Sequence, residues 1–273
     1  MEAQKVWFVT GASKGLGLTL VKKLLKNNYR VVATSRNLEG LKSDIGDKSD
    51  AVFSNEINLL DDTNVKLAVE KSIAHFGRID VVVNNAGYGQ IGTLEELTDR
   101  EVRENFDVNV FGTLNVIRNV IPYLRKEKSG HIFNIASVGG LFAGFPGWGI
   151  YCSTKFAVAG LTESLAEEIK EFNLKATVVY PGYFRTDFLS KGSVRTPKQI
   201  INDYESARVS QQAHLENING NQPNDPEKAA DVLIAISKED NPPVHLLLGA
   251  DAYEMMKKKM DIPPTLAQPP KPK

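Results

Sequence analysis

The chain predicts an α/β fold, a doubly wound parallel sheet of about seven strands with helices on both faces. Three observations carry that expectation. Short β-rich apolar runs alternate with longer stretches whose apolar residues recur at spacings of three and four. Runs such as Val81-Val82-Val83 and Thr177-Val178-Val179-Tyr180 are apolar without alternation, as strands buried on both faces are. A glycine-rich turn follows the first run directly and opens the first helical stretch. The 273 residues fit one large domain, and a 42% hydrophobic composition is enough for its core.

The elements follow in order. Lys5–Val9 reads as the first strand. After it comes TGASKGLG, residues 10–17, leading into a helix over Leu16–Lys26. Gly11, Gly15 and Gly17 allow a tight turn and close backbone approach to a pyrophosphate, and the helix N-terminus adds free N–H groups and a positive dipole end. Ser13, Lys14 and Leu16 belong to the same candidate contact surface. Arg30–Thr34 is the second strand. Where an NAD binder carries a carboxylate for the ribose 2′-hydroxyl, this chain has Ser35 and Arg36, with Lys14 nearby. That charge pattern favours NADP(H) and leaves NAD(H) open.

Ala51–Ile57 is the third strand and runs into Asn58 and Leu59; Val65–Phe76 is the next helix. Ile79–Val83 is the fourth strand and ends in Asn84, Asn85, Ala86 and Gly87. His131–Ala136 is a fifth strand and runs into Ser137. Tyr151 and Lys155 open a helix that continues through AVAGLTESLAEEI. Residues i and i+4 share a helix face, so an ammonium can sit near a phenol and favour its phenolate. Tyr151 could then exchange a proton with a carbonyl or hydroxyl group near neutral pH. Lys175–Tyr180 is a sixth strand, followed by PGYFRT at 181–186, and Val244–Leu248 is a seventh.

Two segments break the rhythm. Asp187–Pro223 is polar, is poorly placed for the core, and holds a short helix around Tyr204–His214; it reads as a lid or as a surface excursion. Residues 262–273 are proline-rich and read as a flexible tail.

The ordered motifs resemble the short-chain dehydrogenase/reductase family in its non-extended branch, over residues 5–250. They are TGASKGLG, NNAG, Asn109 in DVNVFGT, Ser137 in NIASVGG, Tyr151 with Lys155, and PGYFRT. The resemblance implies a Rossmann-type sheet and an oxidoreductase that moves a hydride between NADP(H) and a ketone or aldehyde and its alcohol. It implies Tyr151 as general acid and base, and Lys155 as the group that holds the nicotinamide ribose and lowers the tyrosine pKa. Ser137 would polarise the substrate oxygen, and Asn109 would anchor a water linking Lys155 to solvent. Asn84 would stabilise the sheet. Asn58, Leu59, Asn85, Ala86 and Gly87 would flank the adenosine. Pro181, Gly182, Phe184 and Thr186 would sit against the nicotinamide. Phe142, Phe145, Trp148 and Tyr183 suggest an apolar or aromatic substrate, with core packing or a subunit contact as an equal alternative.

Other readings are weaker. A ketoacyl (acyl-carrier) reductase would be shorter, and no compact basic cluster suits an acidic carrier. A non-catalytic dinucleotide sensor usually lacks the tyrosine or the lysine. Cys152, the single cysteine, reads as a packing group and excludes an intrachain disulfide. His75 and His131 have no metal-ligand spacing, so no metal is expected. Lysine plus arginine balances aspartate plus glutamate at 33 each, which gives no basic field for nucleic acid or an acidic membrane. With no signal core and no spanning run, a cytoplasmic location is expected. The helix around Ala157–Ile169 leaves a homodimer and a homotetramer both open.

Overall fold

The computed structural model describes residues 4–45 and 50–261. The proline-rich tail predicted at 262–273 lies outside the described residues.

In chain order the elements are β1 (Val6–Val9), α1 (Gly15–Lys26), β2 (Arg30–Ser35), α2 (Leu38–Ile45), β3 (Val52–Glu56) and α3 (Asp62–Phe76). Next come β4 (Val81–Asn84), β5 (Gly89–Gln90), α4 (Asp99–Phe106), a π-helical turn (Asp107–Phe111) and α5 (Gly112–Glu127). The second half holds β6 (Gly130–Ile135), α6 (Gly149–Glu168), β7 (Leu174–Pro181), β8 (Val194–Arg195), α7 (Glu205–Gln212), α8 (Pro226–Ile236), β9 (His245–Leu248) and α9 (Ala250–Met260). Seven strands form one parallel sheet in the order β3-β2-β1-β4-β6-β7-β9.

Side chains alternate across a strand, so each strand feeds two cores. On one face Trp7, Val9, Val31 and Phe133 pack with Leu20 and Leu24 of α1 and Ala230 and Leu233 of α8. On the other, Val6, Phe8, Val32 and Ile132 pack with Val65 and Val69 of α3, Val120 and Leu124 of α5 and Leu165 of α6. Both faces are dry, which is why the strands read as unbroken apolar runs. Helix starts are locally encoded. The Asp61 carboxylate accepts from Thr63 and Asn64 N–H at the head of α3, Thr98 and Glu101 form a capping box on α4, and Asp225 precedes Pro226 on α8.

β1 lies between β2 and β4, so the chain winds outward in opposite directions from it. At such a switch point the connections diverge and leave a crevice at the carboxyl ends of the strands. The Thr10–Gly15 turn stands at that crevice, with Thr10 N–H on Val83 O and Ala12 N–H on Thr34 O, both at 3.0 Å.

The segment 187–223 departs from expectation. It is fastened into the molecule rather than laid over it. β8 pairs in parallel with β5 in a second, two-stranded sheet, and Leu189, Val194, Ala207, His214 and Gln222 are buried. The helix expected around 204–214 is α7, continued by a π-helical turn over Ala213–Ile218.

Candidate active site

The glycine turn is shaped by close backbone contacts. Gly11 and Gly15 have φ of 64° and 55°, in the left-handed region that glycine tolerates best. A Cβ on Gly17 would stand 2.4 Å from Gly11 O, so α1 could not start this close to the turn with a larger residue. Thr10 and Asn85 join the turn to the end of β4. Thr10 Oγ1 accepts from Asn85 N (3.0 Å) and Ala86 N (3.1 Å), while Asn85 Nδ2 donates to Thr10 O (3.0 Å) and Gly11 O (3.1 Å). No side chain caps α1, and its first turn holds no acidic residue. Those N–H groups and the dipole end therefore suit an anion.

Ser35 and Arg36 stand at the end of β2. Ser35 is buried and its Oγ accepts from Asn37 N at 3.1 Å, while Arg36 is exposed at the cavity wall. Lys14 differs from the sequence reading. It lines the cavity, but its ammonium donates to Gly192 O in the 187–223 segment at 3.1 Å, where the carbonyl gives the charge a partner. Asn58 Oδ1 accepts from Leu60 N (3.2 Å), and Leu59 O accepts from Asn115 Nδ2 (2.7 Å), so both residues hold the turn after β3.

Tyr151 and Lys155 lie on the buried face of α6, at 7% and 5% exposure. Lys155 Nζ donates to Ile135 O at 2.9 Å and sits 5.8 Å from the Tyr151 ring centre. Ser137 follows β6, where its Oγ accepts from Gly139 N at 3.1 Å. Burial pushes the Tyr151 phenol above the ordinary tyrosine range, and a hydrogen bond with Ser137 only partly offsets it. Burial also brings the Lys155 ammonium down to about 8. The lowered tyrosine pKa expected from Lys155 is thus not what the protein alone produces. Desolvation of the phenolate is the largest cause, and the Lys155 ammonium has a carbonyl as its hydrogen-bond partner.

Asn109 sits in the π-helical turn between α4 and α5, a distortion that turns it toward Tyr88. Its Nδ2 donates to Tyr88 O and Thr154 Oγ1, both at 3.0 Å, and its Oδ1 accepts from Tyr88 N at 3.0 Å. The side chain expected to bridge to water spends both its N–H bonds on the protein. A Cβ on Gly87 would meet Asn109 Oδ1 at 3.0 Å and Lys155 Nζ at 3.5 Å, so the two side chains converge where glycine leaves room. Asn84 Nδ2 reaches Asn134 Oδ1 at 2.8 Å and joins β4 to β6 in the sheet.

A cavity of about 510 Å³ runs from Arg36 past Tyr151 to His214. Gly11, Ser13, Gly15, Leu16, Ala86, Gly87, Pro181, Gly182, Phe184 and Thr186 all border it. Thr186 Oγ1 accepts from Phe188 N at 3.3 Å. At the far end Phe145, Trp148, Tyr183, Phe188 and His214 make an aromatic wall. Phe142 does not join it. That ring packs edge-on against Phe145, 5.6 Å between centres, in space that the missing Cβ of Gly144 leaves open. Cys152 is buried and burial raises its thiol to about 11, which suits a packing group.

Sequence reasoning missed Phe188, His214, Gln222, Asn224 and Asp251. Asp251 Oδ2 accepts from Tyr183 N at 2.6 Å, and Asn224 Nδ2 donates to Tyr183 O at 2.9 Å. They come from the 187–223 segment, from Asn224 just after it and from α9, and no local motif marks them; only the folded chain brings them to the loop after β7.

The sequence profile described as short chain dehydrogenase matches residues 5–195. The oxidoreductase BOA17 of Botryotinia fuckeliana is 36% identical over 94% of this chain and 93% of its own. A 3-ketodihydrosphingosine reductase of Bacteroides thetaiotaomicron is 34% identical over 90% of this chain and 88% of its own. The crystal structure of a short-chain dehydrogenase from Streptomyces avermitilis superposes with a TM-score of 0.87 at 33% identity, covering 96% of this chain and 94% of that one. ElxO with NADP bound superposes with a TM-score of 0.74 at 28% identity, covering 89% of this chain and 96% of that one.

Proposed function

The chain belongs to the short-chain dehydrogenase family, and from that premise we propose that it is an NADP(H)-dependent oxidoreductase interconverting a ketone or aldehyde with its alcohol. One observation carries the reading. Tyr151 lies buried, with Ser137, in the wall of a single cavity that has an anion-ready helix N-terminus at one end and aromatic rings at the other.

The residues present fit the dinucleotide. The close-packed glycine turn and the uncapped start of α1 suit its pyrophosphate, and Ala86 and Gly87 leave room beside the adenosine ribose. Arg36, with no carboxylate at the end of β2, favours a 2′-phosphate. ElxO, which binds NADP, supports that preference by likeness. Lys155 would hold the nicotinamide ribose, and the Gly182–Thr186 loop would set the ring's orientation. When bound, the nicotinamide supplies or accepts the hydride.

The remaining chemistry belongs to this chain. In reduction Tyr151 gives its proton to the carbonyl oxygen, and burial keeps the phenol in its acid form until the transfer. Ser137 donates a hydrogen bond to the same oxygen as negative charge develops on it. Lys155 sits within the same buried site, where a cation stabilises the tyrosinate left by the transfer. The aromatic wall excludes water and receives an apolar substrate body.

Titrating the purified protein with NADPH and NADH separately, then assaying a panel of ketones and aldehydes, tests the reading. Tighter NADPH binding and turnover of a carbonyl are expected. Equal or reversed cofactor preference would remove the role given to Arg36, and binding without any turnover would overturn the catalytic reading.

A further inference from the structure

Tyr183 stands at the aromatic end of the cavity. Its backbone is clamped on both sides. Tyr183 N donates to Asp251 Oδ2 at 2.6 Å, and Tyr183 O accepts from Asn224 N at 3.1 Å and Asn224 Nδ2 at 2.9 Å. Asn224 Nδ2 also reaches Asp251 Oδ1 at 2.7 Å, tying the two clamps together. The hydroxyl lies 2.9 Å from His214 Nε2.

The direction of that last hydrogen bond follows from the other side of the imidazole. His214 Nδ1 is 2.7 Å from Ser210 O. A carbonyl oxygen only accepts, so Nδ1 carries a proton. Burial holds the imidazole neutral by lowering its pKa, against the Ser210 hydrogen bond that raises it. Nε2 is therefore a bare acceptor, and the Tyr183 hydroxyl gives its only proton to it. What the phenol oxygen has left to offer the cavity is acceptance. The same end of the cavity is lined by Phe145, Trp148 and Phe188, with the Tyr151 phenol, the Cys152 thiol and the Gln222 amide among them.

We propose that Tyr183 is a specificity-determining group that accepts a hydrogen bond from a second polar group on the substrate. The substrate class is a carbonyl compound with an apolar body that carries a hydrogen-bond donor, hydroxyl or amino, away from the reacting carbon. The inference rests on the carbonyl–alcohol reading given above and deepens it. An analogue without the donor leaves the phenol oxygen unpaired in a dry wall, and an ether sets acceptor against acceptor.

The test uses phenyl alkyl ketones bearing hydroxyl, amino, methoxy or hydrogen on the first, second or third carbon from the carbonyl. For at least one position, kcat/KM of the donor-bearing ketone should exceed that of its methoxy and unsubstituted partners by about tenfold or more. Tyr183→Phe should bring those ratios to within about twofold, since the acceptor is gone. His214→Phe frees the Tyr183 hydroxyl to donate, so the methoxy ketone should gain on the hydroxy ketone. A purely structural role for Tyr183 would lower all rates together and leave the ratios where they were. No preference in the wild type, or a preference that survives Tyr183→Phe, overturns the inference while ketone reduction stands. Reduction of none of the ketones with either cofactor overturns the proposed function and this inference with it. If melting shows Tyr183→Phe to be unfolded, an unchanged hydroxy-to-methoxy ratio in His214→Phe overturns the inference alone.

Discussion

A phenolate at position 151 would lose nearly all its hydration, because the side chain is 7% exposed and hemmed in by α6 and the aromatic wall. That cost keeps Tyr151 protonated, which makes it a proton donor first and a base only when something stabilises the anion. Tyr151→Phe removes the proton and little else. It should lower kcat by about 10²- to 10⁴-fold, with the NADPH dissociation constant within about twofold of wild type. Steady-state rates beside a fluorescence titration check both halves; near-normal turnover would mean that another group protonates the substrate. Arg36 makes the opposite kind of contribution, to binding alone. Arg36→Ala should weaken NADPH by about 10- to 100-fold through loss of a charge-assisted contact, and leave NADH nearly unchanged. Equal losses for both cofactors would make Arg36 a structural residue. The candidate catalytic positions could be named from the sequence because each belongs to a local motif. Lys14 shows the limit. Its place in the glycine turn is local, but the destination of its long side chain, Gly192 O, was set by a segment nearly the whole domain away.

Strand positions were legible to within a residue or two because burial on both faces demands a continuous apolar run. β6, predicted over His131–Ala136, spans Gly130–Ile135, and its first buried side chain is polar. β5 and β8 pair only two residues each, too few for any periodicity, so they were invisible. The split of the π-helical turn from α4 and α5 around Asn109 was equally hidden, since apolar spacing barely changes across one widened turn. β6 also carries a pH prediction. His131 Nε2 donates to Thr177 Oγ1 at 2.8 Å, because Thr177 spends its own proton on Pro243 O at 2.7 Å. Burial, with a smaller effect of the Lys5 and Lys175 charges, lowers His131 from 6.5 to about 3. The folded state then binds fewer protons than the unfolded one between those values, so stability falls on acidification below pH 6.5, and does so until about pH 3. The slope contributed is at most about 1.4 kcal/mol per pH unit. His131→Gln keeps an N–H donor without a titration, and urea melts from about pH 4.5 to 6.5 should show the variant losing less stability than wild type. Parallel pH profiles would show that His131 is paired or hydrated in a way that leaves its pKa ordinary.

Across the whole molecule, the arrangement of the 187–223 segment decides whether the cavity is preformed. The segment is stitched to residues 89–104 by backbone and charge together. Gly89 N donates to Ser193 O at 2.9 Å and Ile91 N to Arg195 O at 2.8 Å, and Arg195 pairs with Glu104 at 2.9 Å. Glu96 holds the centre. Its carboxylate is inaccessible to solvent and accepts from Thr93 N, Ile201 N and, through both oxygens at 2.7 and 2.8 Å, Arg208. The same segment carries His214 to Tyr183 and Gly192 to Lys14, so fastening it at Glu96 fixes both ends of the cavity. A buried carboxylate that loses its cation costs about 3–5 kcal/mol, and the partial exposure of Arg208 places this pair near the lower end. The two cores of the seven-stranded sheet draw their buried residues from outside this segment. Arg208→Met should therefore open the segment locally before it unfolds the sheet. Hydrogen exchange should rise across 189–218 while β1, β4 and β6 keep their protection, and KM should rise more than kcat falls, because the aromatic wall loses its register before Tyr151 moves. If protection falls equally in the central strands, the segment and the sheet form one cooperative unit, and the cavity owes its shape to the whole fold rather than to the Glu96 clasp.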